Sequence, residues 1–126
     1  MKFSYRCTIC SASYDIGPDL TVCPECSSRQ LPDQPLIGIL EVELHGKVDS
    51  SFEIVDLLPV EKQYFPPIPV GGIPLWEPAN LRRSMGFKNL FIKDDGSNPT
   101  SSFKDRASFL VSAAARKFNI NDIVLA

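Results

Sequence analysis

The sequence predicts an α/β protein in two parts: a small metal-held β subdomain, then strands and helices in βαβ order. Three observations predict it. All four cysteines lie in two Cys-x-x-Cys pairs near the start. A helical stripe of Phe103, Ala107, Leu110, Val111, Ala114 and Phe118 follows a loop rich in short oxygen side chains. Apolar stretches at residues 90–93 and 123–125 flank that helix. Strand, helix and strand in this order argue for a parallel sheet.

The cysteines define the first part. Cys7 and Cys10 form one pair and Cys23 and Cys26 the other, with twelve residues between them. Two tight knuckles gather four thiolates into a closed tetrahedral site for Zn²⁺. Four protein ligands leave no open coordination position, so the metal is expected to be structural. A rubredoxin-type iron site uses the same four ligands. Two disulfides would need an oxidising compartment, and the first residues lack the apolar core of a signal peptide. A thioredoxin-like pair needs one Cys-x-x-Cys at a helix start, not two facing knuckles. Gly17-Pro18-Asp19 is a turn signal, and it predicts a small hairpin between residues 13–15 and 20–22. Residues 37–44 alternate from Ile39 onward and predict a strand that completes the sheet. Residues 1–45 therefore read as a zinc-ribbon-like subdomain. A site this small has little apolar core, so metal supplies much of its folding free energy. His45 follows the full ligand set and reads as a surface histidine.

Composition bounds the rest. A chain of 126 residues holds one ordinary domain, or a small one and part of a larger one. The apolar fraction of 44% against 22% charge describes a globular chain, not a disordered one. No apolar run reaches membrane-span length. The net charge of −2 is uneven: residues 1–60 sum to −5 and the remainder to +3. An acidic ribbon is a poor partner for a phosphate backbone, so neither nucleic acid nor membrane is expected as a partner. The positive remainder suits an anionic small molecule. The expected location is cytoplasmic.

Residues 46–72 read as an extended linker, because Pro59, Pro66, Pro67 and Pro69 favour open chain. Tyr64 and Phe65 are expected to pack this linker onto the second, α/β part. From residue 73 the pattern is a short strand near Trp76, a helix over 78–85 ended by Gly86, and a strand over 89–93. A loop over 94–101, a helix over 102–118 and a buried apolar strand from Asp122 complete it. Trp76 reads as core. Asp94-Asp95 reads as a strand-end turn in which one side chain caps a neighbour.

Lys104 stands out chemically. Asn98, Thr100 and Ser101 can cap the backbone N–H groups of a new helix, and Pro99 stiffens the approach. Lys104 then falls at the positive end of the helix dipole, where a cation is disfavoured by roughly 0.3–1 kcal/mol. The same field eases loss of the lysine proton, and imine chemistry needs a neutral amine. Its i±3 and i±4 neighbours are Thr100, Ser101, Ala107 and Ser108, all small. By itself, one such lysine reads as a solvated surface residue.

The run Asn98-Pro99-Thr100-Ser101-Ser102-Phe103-Lys104-Asp105-Arg106 resembles the lysine motif of the fold-type II pyridoxal-phosphate enzymes, most closely the threonine synthase family. Gly71-Gly72-Ile73-Pro74-Leu75 is similar to the family's Gly-Gly-Thr-Pro-Leu opening of the enzyme domain. Leu90-Phe91-Ile92-Lys93-Asp94-Asp95 is similar to the strand leading into the lysine loop, and Asp56-Leu57-Leu58-Pro59-Val60 to the segment ahead of that opening. The resemblance covers residues 52–126. The family often has Gly where Ser101 and Ala107 stand. The resemblance implies that residues 73–126 are the N-terminal part of a pyridoxal-phosphate enzyme domain. It implies that Lys104 is the catalytic and cofactor-binding residue, joined to pyridoxal 5'-phosphate as a Schiff base. It further implies a lyase that turns O-phospho-L-homoserine and water into L-threonine and phosphate, acting as a homodimer on an amino-acid substrate. Many members carry a similar cysteine-rich segment. The family's Ser/Thr-Gly-Asn loop and glycine-rich phosphate loop do not occur in these 126 residues. The sequence therefore reads as a fragment of a longer enzyme, inactive in isolation.

Other readings remain compatible with the sequence. A cysteate synthase or threonine dehydratase would share the lysine motif, and the ribbon counts against the dehydratase. A non-catalytic zinc-ribbon interaction module would use the cysteines alone. An inactive paralogue would keep the lysine motif for assembly.

Overall fold

A computed structural model describes residues 1–124. The chain divides into two compact units: Met1–Tyr64 with the chain from Ala114 onward, and Phe65–Ala113.

The first unit is built on a three-stranded antiparallel sheet of β1 (Lys2–Cys7), β2 (Ser13–Asp15) and β3 (Leu40–His45), in the order β2-β1-β3. The last strand of the ribbon lies where residues 37–44 predict it. The hairpin does not. Residues 13–15 pair with β1, with Tyr5 opposite Tyr14, and Val22 makes a single bridge to Ile39 instead. The reversal is the first cysteine knuckle itself, closed by Cys7 N–H to Ala12 O at 2.9 Å and Ser11 N–H to Cys7 O at 3.1 Å. Gly17-Pro18-Asp19 is a bend in the connection, not a hairpin turn. The second knuckle opens a one-turn helix, α1 (Pro24–Ser27), with proline at its start, where the missing N–H costs nothing.

Gly38 shows why the chain needs glycine beside this knuckle. Its φ is +76°, and a Cβ there would meet the Cβ atoms of Cys26 and Cys23 at 3.1 and 3.2 Å. The close approach lets Gly38 O accept from Cys23 N–H at 2.7 Å. Residues of the expected linker are not uniformly extended. They form 3₁₀ turns at Ile54–Leu57 and Lys62–Tyr64. Glu53 and Asp56 cap the first of these reciprocally.

The second unit carries β4 (Leu75–Trp76), α2 (Ala79–Met85) and β5 (Ile92–Lys93). Gly86 ends α2 at φ +71°, as its position predicts. Arg82 ties the helix to the returning chain: Nε donates to Leu90 O at 2.8 Å, and the guanidinium lies 4.7 Å from the Phe91 ring centre. The expected parallel sheet is not found among the described residues. Leu75 pairs with Lys93 and Trp76 with Ile92 in antiparallel sense. That antiparallel pair, distinct from the expected parallel pair of residues 90–93 and the strand from Asp122, follows from the path of its own connection. A two-turn helix followed by a left-handed glycine returns the chain beside its starting strand, pointing back. Residues 121–124 form no strand, and the remainder of that expected strand, Leu125 and Ala126, lies outside the described residues. Trp76 is 54% exposed rather than core, with its indole N–H donated to Asp94 at 3.2 Å. Phe65 does pack as expected: it is buried, and its ring centre lies 4.8 Å from that of Phe109.

The last helix, α3, runs Asp105–Phe118, three residues later than its expected start. Ser102, Phe103 and Lys104 form the turn before it. Asn119 at φ +56° ends it, and Ile120 N–H returns to Ala115 O at 2.9 Å. Among the described residues, no helix is long and apolar enough to cross a membrane.

Candidate functional site

The two knuckles bring Cys7, Cys10, Cys23 and Cys26 together, with all four sulfurs within 4.8 Å of one another. Cys7 Sγ lies 3.8 Å from Cys26 Sγ, and Cys10 Sγ 3.7 Å from Cys23 Sγ. Four sulfurs about 2.3 Å from a central Zn²⁺ would be about 3.8 Å apart. These two separations match that value, and the cluster fits a tetrahedral dication. Cys7, Cys23 and Cys26 are at most 1% exposed, with Tyr14 and Leu40 packed against them, while Cys10 faces solvent.

Neighbouring donors differentiate the sulfurs. The Ile9 amide donates to Cys7 Sγ at 3.4 Å and Arg29 Nη2 to Cys26 Sγ at 3.6 Å. The Tyr14 hydroxyl sits 3.2 Å from Cys23 Sγ. That contact, with the Cys26 amide next, lowers the Cys23 thiol to about 6 and pushes the Tyr14 hydroxyl up. The phenol is therefore the donor. The Ala12 amide pulls Cys10 down, but desolvation and the other three cysteines outweigh it and push Cys10 up to about 12. Four thiolates cannot all ionise at one point without a cation to compensate them, so the donor chemistry also fits a metal. His45 stands apart, with Nε2 2.7 Å from Ser4 Oγ. Sequence reasoning missed Tyr14 and Arg29. The signal was present for both. Arg29 is three residues beyond Cys26 on a helical turn, and Tyr14 alternates with the strand positions beside Cys7.

Lys104 lies in the second unit, exposed, in the turn that starts α3. Its carbonyl accepts the first helical bond, from Ser108 N–H at 3.0 Å, and its own N–H donates to Ser102 Oγ at 3.2 Å. Lys104 thus occupies the N-cap position. The three carboxylates of this loop are all committed elsewhere. Asp94 accepts from the Trp76 indole, Ser97 Oγ and the Gly96 amide, which hold its carboxyl below the usual range. Asp95 pairs with Arg106 Nε at 2.9 Å. Asp105 accepts from the Thr100 amide at 2.8 Å and from the Thr100 hydroxyl. Among the described residues the Lys104 amine has no ion-pair or hydrogen-bond partner, which leaves it free for an aldehyde.

Asn98 differs from its expected role as a helix cap. It is 4% exposed, the buried polar side chain of the described residues. Its Oδ1 accepts from Gly71 N–H at 3.0 Å, and its Nδ2 donates to Asp95 O and Oδ1, both at 3.0 Å. Gly71, at φ +85°, is where a Cβ would strike Arg106 Nη1 at 2.8 Å. The Gly71-Gly72 segment and the lysine loop, separated in sequence, are thus one hydrogen-bonded structure. Ser101, one of the positions where glycine is common in the resembling family, has φ +57°.

A four-cysteine β module and an uncommitted lysine at a helix start therefore sit on one chain. No family model matches the chain, and no solved structure matches it. It is similar to threonine synthases. That of Methanosarcina acetivorans is 30% identical over 128 aligned positions, covering 98% of this chain and 31% of the relative. That of Methanocaldococcus jannaschii is 30% identical over 110 positions, covering 80% of this chain and 26% of the relative. The chain thus spans less than a third of the length of the curated relatives it matches, and it is related to a region of threonine synthases.

Proposed function

We propose that this chain is the cofactor-lysine region of a pyridoxal-phosphate lyase of the threonine synthase type, converting O-phospho-L-homoserine and water to L-threonine and phosphate. Lys104 is the residue that holds the cofactor, and Cys7, Cys10, Cys23 and Cys26 hold a structural zinc ion. The observation that carries the reading is the uncommitted Lys104 amine in a loop whose aspartates are all engaged elsewhere. The likeness to threonine synthases along nearly the whole chain supports the same assignment.

Pyridoxal phosphate, when bound, supplies an electron sink for negative charge at the substrate's α-carbon. The chain's own residues supply position and proton transfer. Asn98 and the Asp95–Arg106 pair fix the loop, so the Lys104 backbone is held at the first turn of α3. Lys104 is exposed in the turn before α3, and Ala107 and Ser108, three and four residues on in that helix, are small, which leaves room for a planar ring beside the amine. With the cofactor bound, the Lys104 amine would be the group of this chain placed to accept and return protons at the reacting carbons. Residues 1–45 act as the ribbon, 46–72 as the linker and 73–126 as part of the enzyme domain. The working form is a cytoplasmic homodimer with an amino-acid substrate and no nucleic-acid partner.

Borohydride reduction of the pyridoxal-phosphate-loaded protein that carries this region should fix one pyridoxyl group on Lys104, read by peptide mapping. The same protein should release threonine and phosphate from O-phospho-L-homoserine. Label recovered on another lysine, or no threonine formed by protein labelled at Lys104, would overturn the assignment.

A further inference from the structure

The cysteine cluster is not symmetric. Three sulfurs are sealed: Cys7 by burial and the Ile9 amide, Cys23 by burial and the Tyr14 hydroxyl, Cys26 by burial and the Arg29 guanidinium. Cys10 is exposed, and among the described residues no side chain other than the cysteines reaches its sulfur. It lies between Ile9 and Ser11, both also exposed, at the tip of the β1–β2 knuckle. A hydrogen-bond donor draws electron density from a thiolate, and burial keeps reagents away. Burial shields three of the ligands and leaves the fourth open, and no hydroxyl or guanidinium covers Cys10 as Tyr14 covers Cys23 and Arg29 covers Cys26.

We propose that Cys10 is the modification site of the cluster, the thiolate at which a peroxide or a carbon electrophile reacts first. The inference rests on the zinc assignment above. With a peroxide, the Cys10 sulfur attacks one oxygen; an S–O bond forms, the O–O bond breaks, and the second oxygen leaves as hydroxide. The sulfur has lost two electrons and the peroxide has gained them, giving a sulfenic acid. Cys23 Sγ, 3.7 Å away, then attacks that sulfur. An S–S bond forms, the S–O bond breaks, and a second hydroxide leaves. Two thiolates and one peroxide become one disulfide and two hydroxides, and a site left with two thiolates releases its ion. With an alkylating agent such as N-ethylmaleimide, the Cys10 sulfur adds to the double bond, water supplies the proton, and the ligand is lost directly. Either route makes the ribbon's metal sensitive to oxidants and electrophiles through one exposed atom. Tyr14 sets the order by holding Cys23 back.

The test uses the zinc-loaded full chain, with metal content measured first. Half an equivalent of N-ethylmaleimide should label Cys10 about tenfold more than any other cysteine, with release of one zinc per label, read by a chromogenic chelator. Limited hydrogen peroxide should give a Cys10–Cys23 disulfide by peptide mapping. Tyr14→Phe, which removes the donor from Cys23 without changing the ring, should raise Cys23 labelling toward that of Cys10. First labelling at Cys7, Cys23 or Cys26 in wild-type protein, or equal labelling of all four, would overturn the proposal while leaving the metal site intact. A chain that binds no zinc would overturn both.

Discussion

Asn98→Ala is the sharpest test of how the lysine loop is held. Asn98 is 4% exposed and makes three hydrogen bonds of 3.0 Å. Truncation strands the part-buried Gly71 amide, worth about 1 kcal/mol, while the Asp95 carbonyl keeps the Asn98 backbone N–H at 3.2 Å and loses only its second donor, worth about 0.5 kcal/mol. The third bond goes to the Asp95 carboxylate, whose side chain is 37% exposed and keeps its Arg106 partner. Water can replace that bond, so it adds about 0.5–1 kcal/mol. The expected cost is about 2 kcal/mol. Trp76 is the single tryptophan and lies in the same unit, so its fluorescence follows unfolding in urea. The midpoint should fall by about 0.7–2 M. Exchange of the Gly71 amide should accelerate in the variant more than exchange within α3. A loss below about 1 kcal/mol, or a Gly71 amide as protected as before, would refute the account of Asn98 as the clamp. Asn98→Asp keeps an acceptor for Gly71 but sets a second carboxylate against Asp95, and should be at least as damaging.

Removal of zinc by a chelator should unfold the β1–β2–β3 sheet, seen as rapid exchange of the Thr8 and Cys23 amides that bond to Ile39 O and Gly38 O. Zinc affinity should rise at least about tenfold per pH unit above about pH 6, because Cys10, pushed up to about 12, must surrender a proton to bind metal; a flat profile would contradict this. Ser101→Gly should stabilise the chain by about 0.5–1 kcal/mol, since relief of a left-handed φ of +57° outweighs the added freedom of the unfolded state, and thermal unfolding reads it. Asp94 titrates below its ordinary value of 3.8 in the folded chain, with the Trp76 indole the largest cause. Its contribution to stability is therefore fully present above that unfolded value and is lost as pH falls through the lower folded one. Trp76→Phe should move the Asp94 titration, followed by NMR, back up toward 3.8.

Much of this protein is legible in its residues alone. The Cys-x-x-Cys spacing by itself places four soft ligands on two knuckles, since a knuckle is a local turn and twelve residues suffice to return the chain. Gly86 ends a helix, and the alternation after Ile39 makes a strand, because both depend on neighbours in sequence. The run around Lys104 singles that lysine out through its resemblance to a family motif; its local pattern alone reads as a surface lysine. Tertiary structure decided what local pattern cannot encode. Strand direction was one case: Leu75 and Ile92 look the same in a parallel or an antiparallel pair, and only the route of α2 and Gly86 chooses. Pairing partners were another. Residues 13–15 carry strand character, but β1 offered a longer edge than residues 20–22, where a proline-containing bend intervenes. The roles of Asn98, Tyr14 and Arg29 were a third. Asn98 and Gly71 are 27 residues apart, and a short polar side chain before a helix looks like a cap until a distant amide takes its oxygen. A hydrogen bond is a contact in space with a reach of about 3 Å. Sequence spacing constrains it within one turn of a helix and says nothing once the chain has looped away and come back.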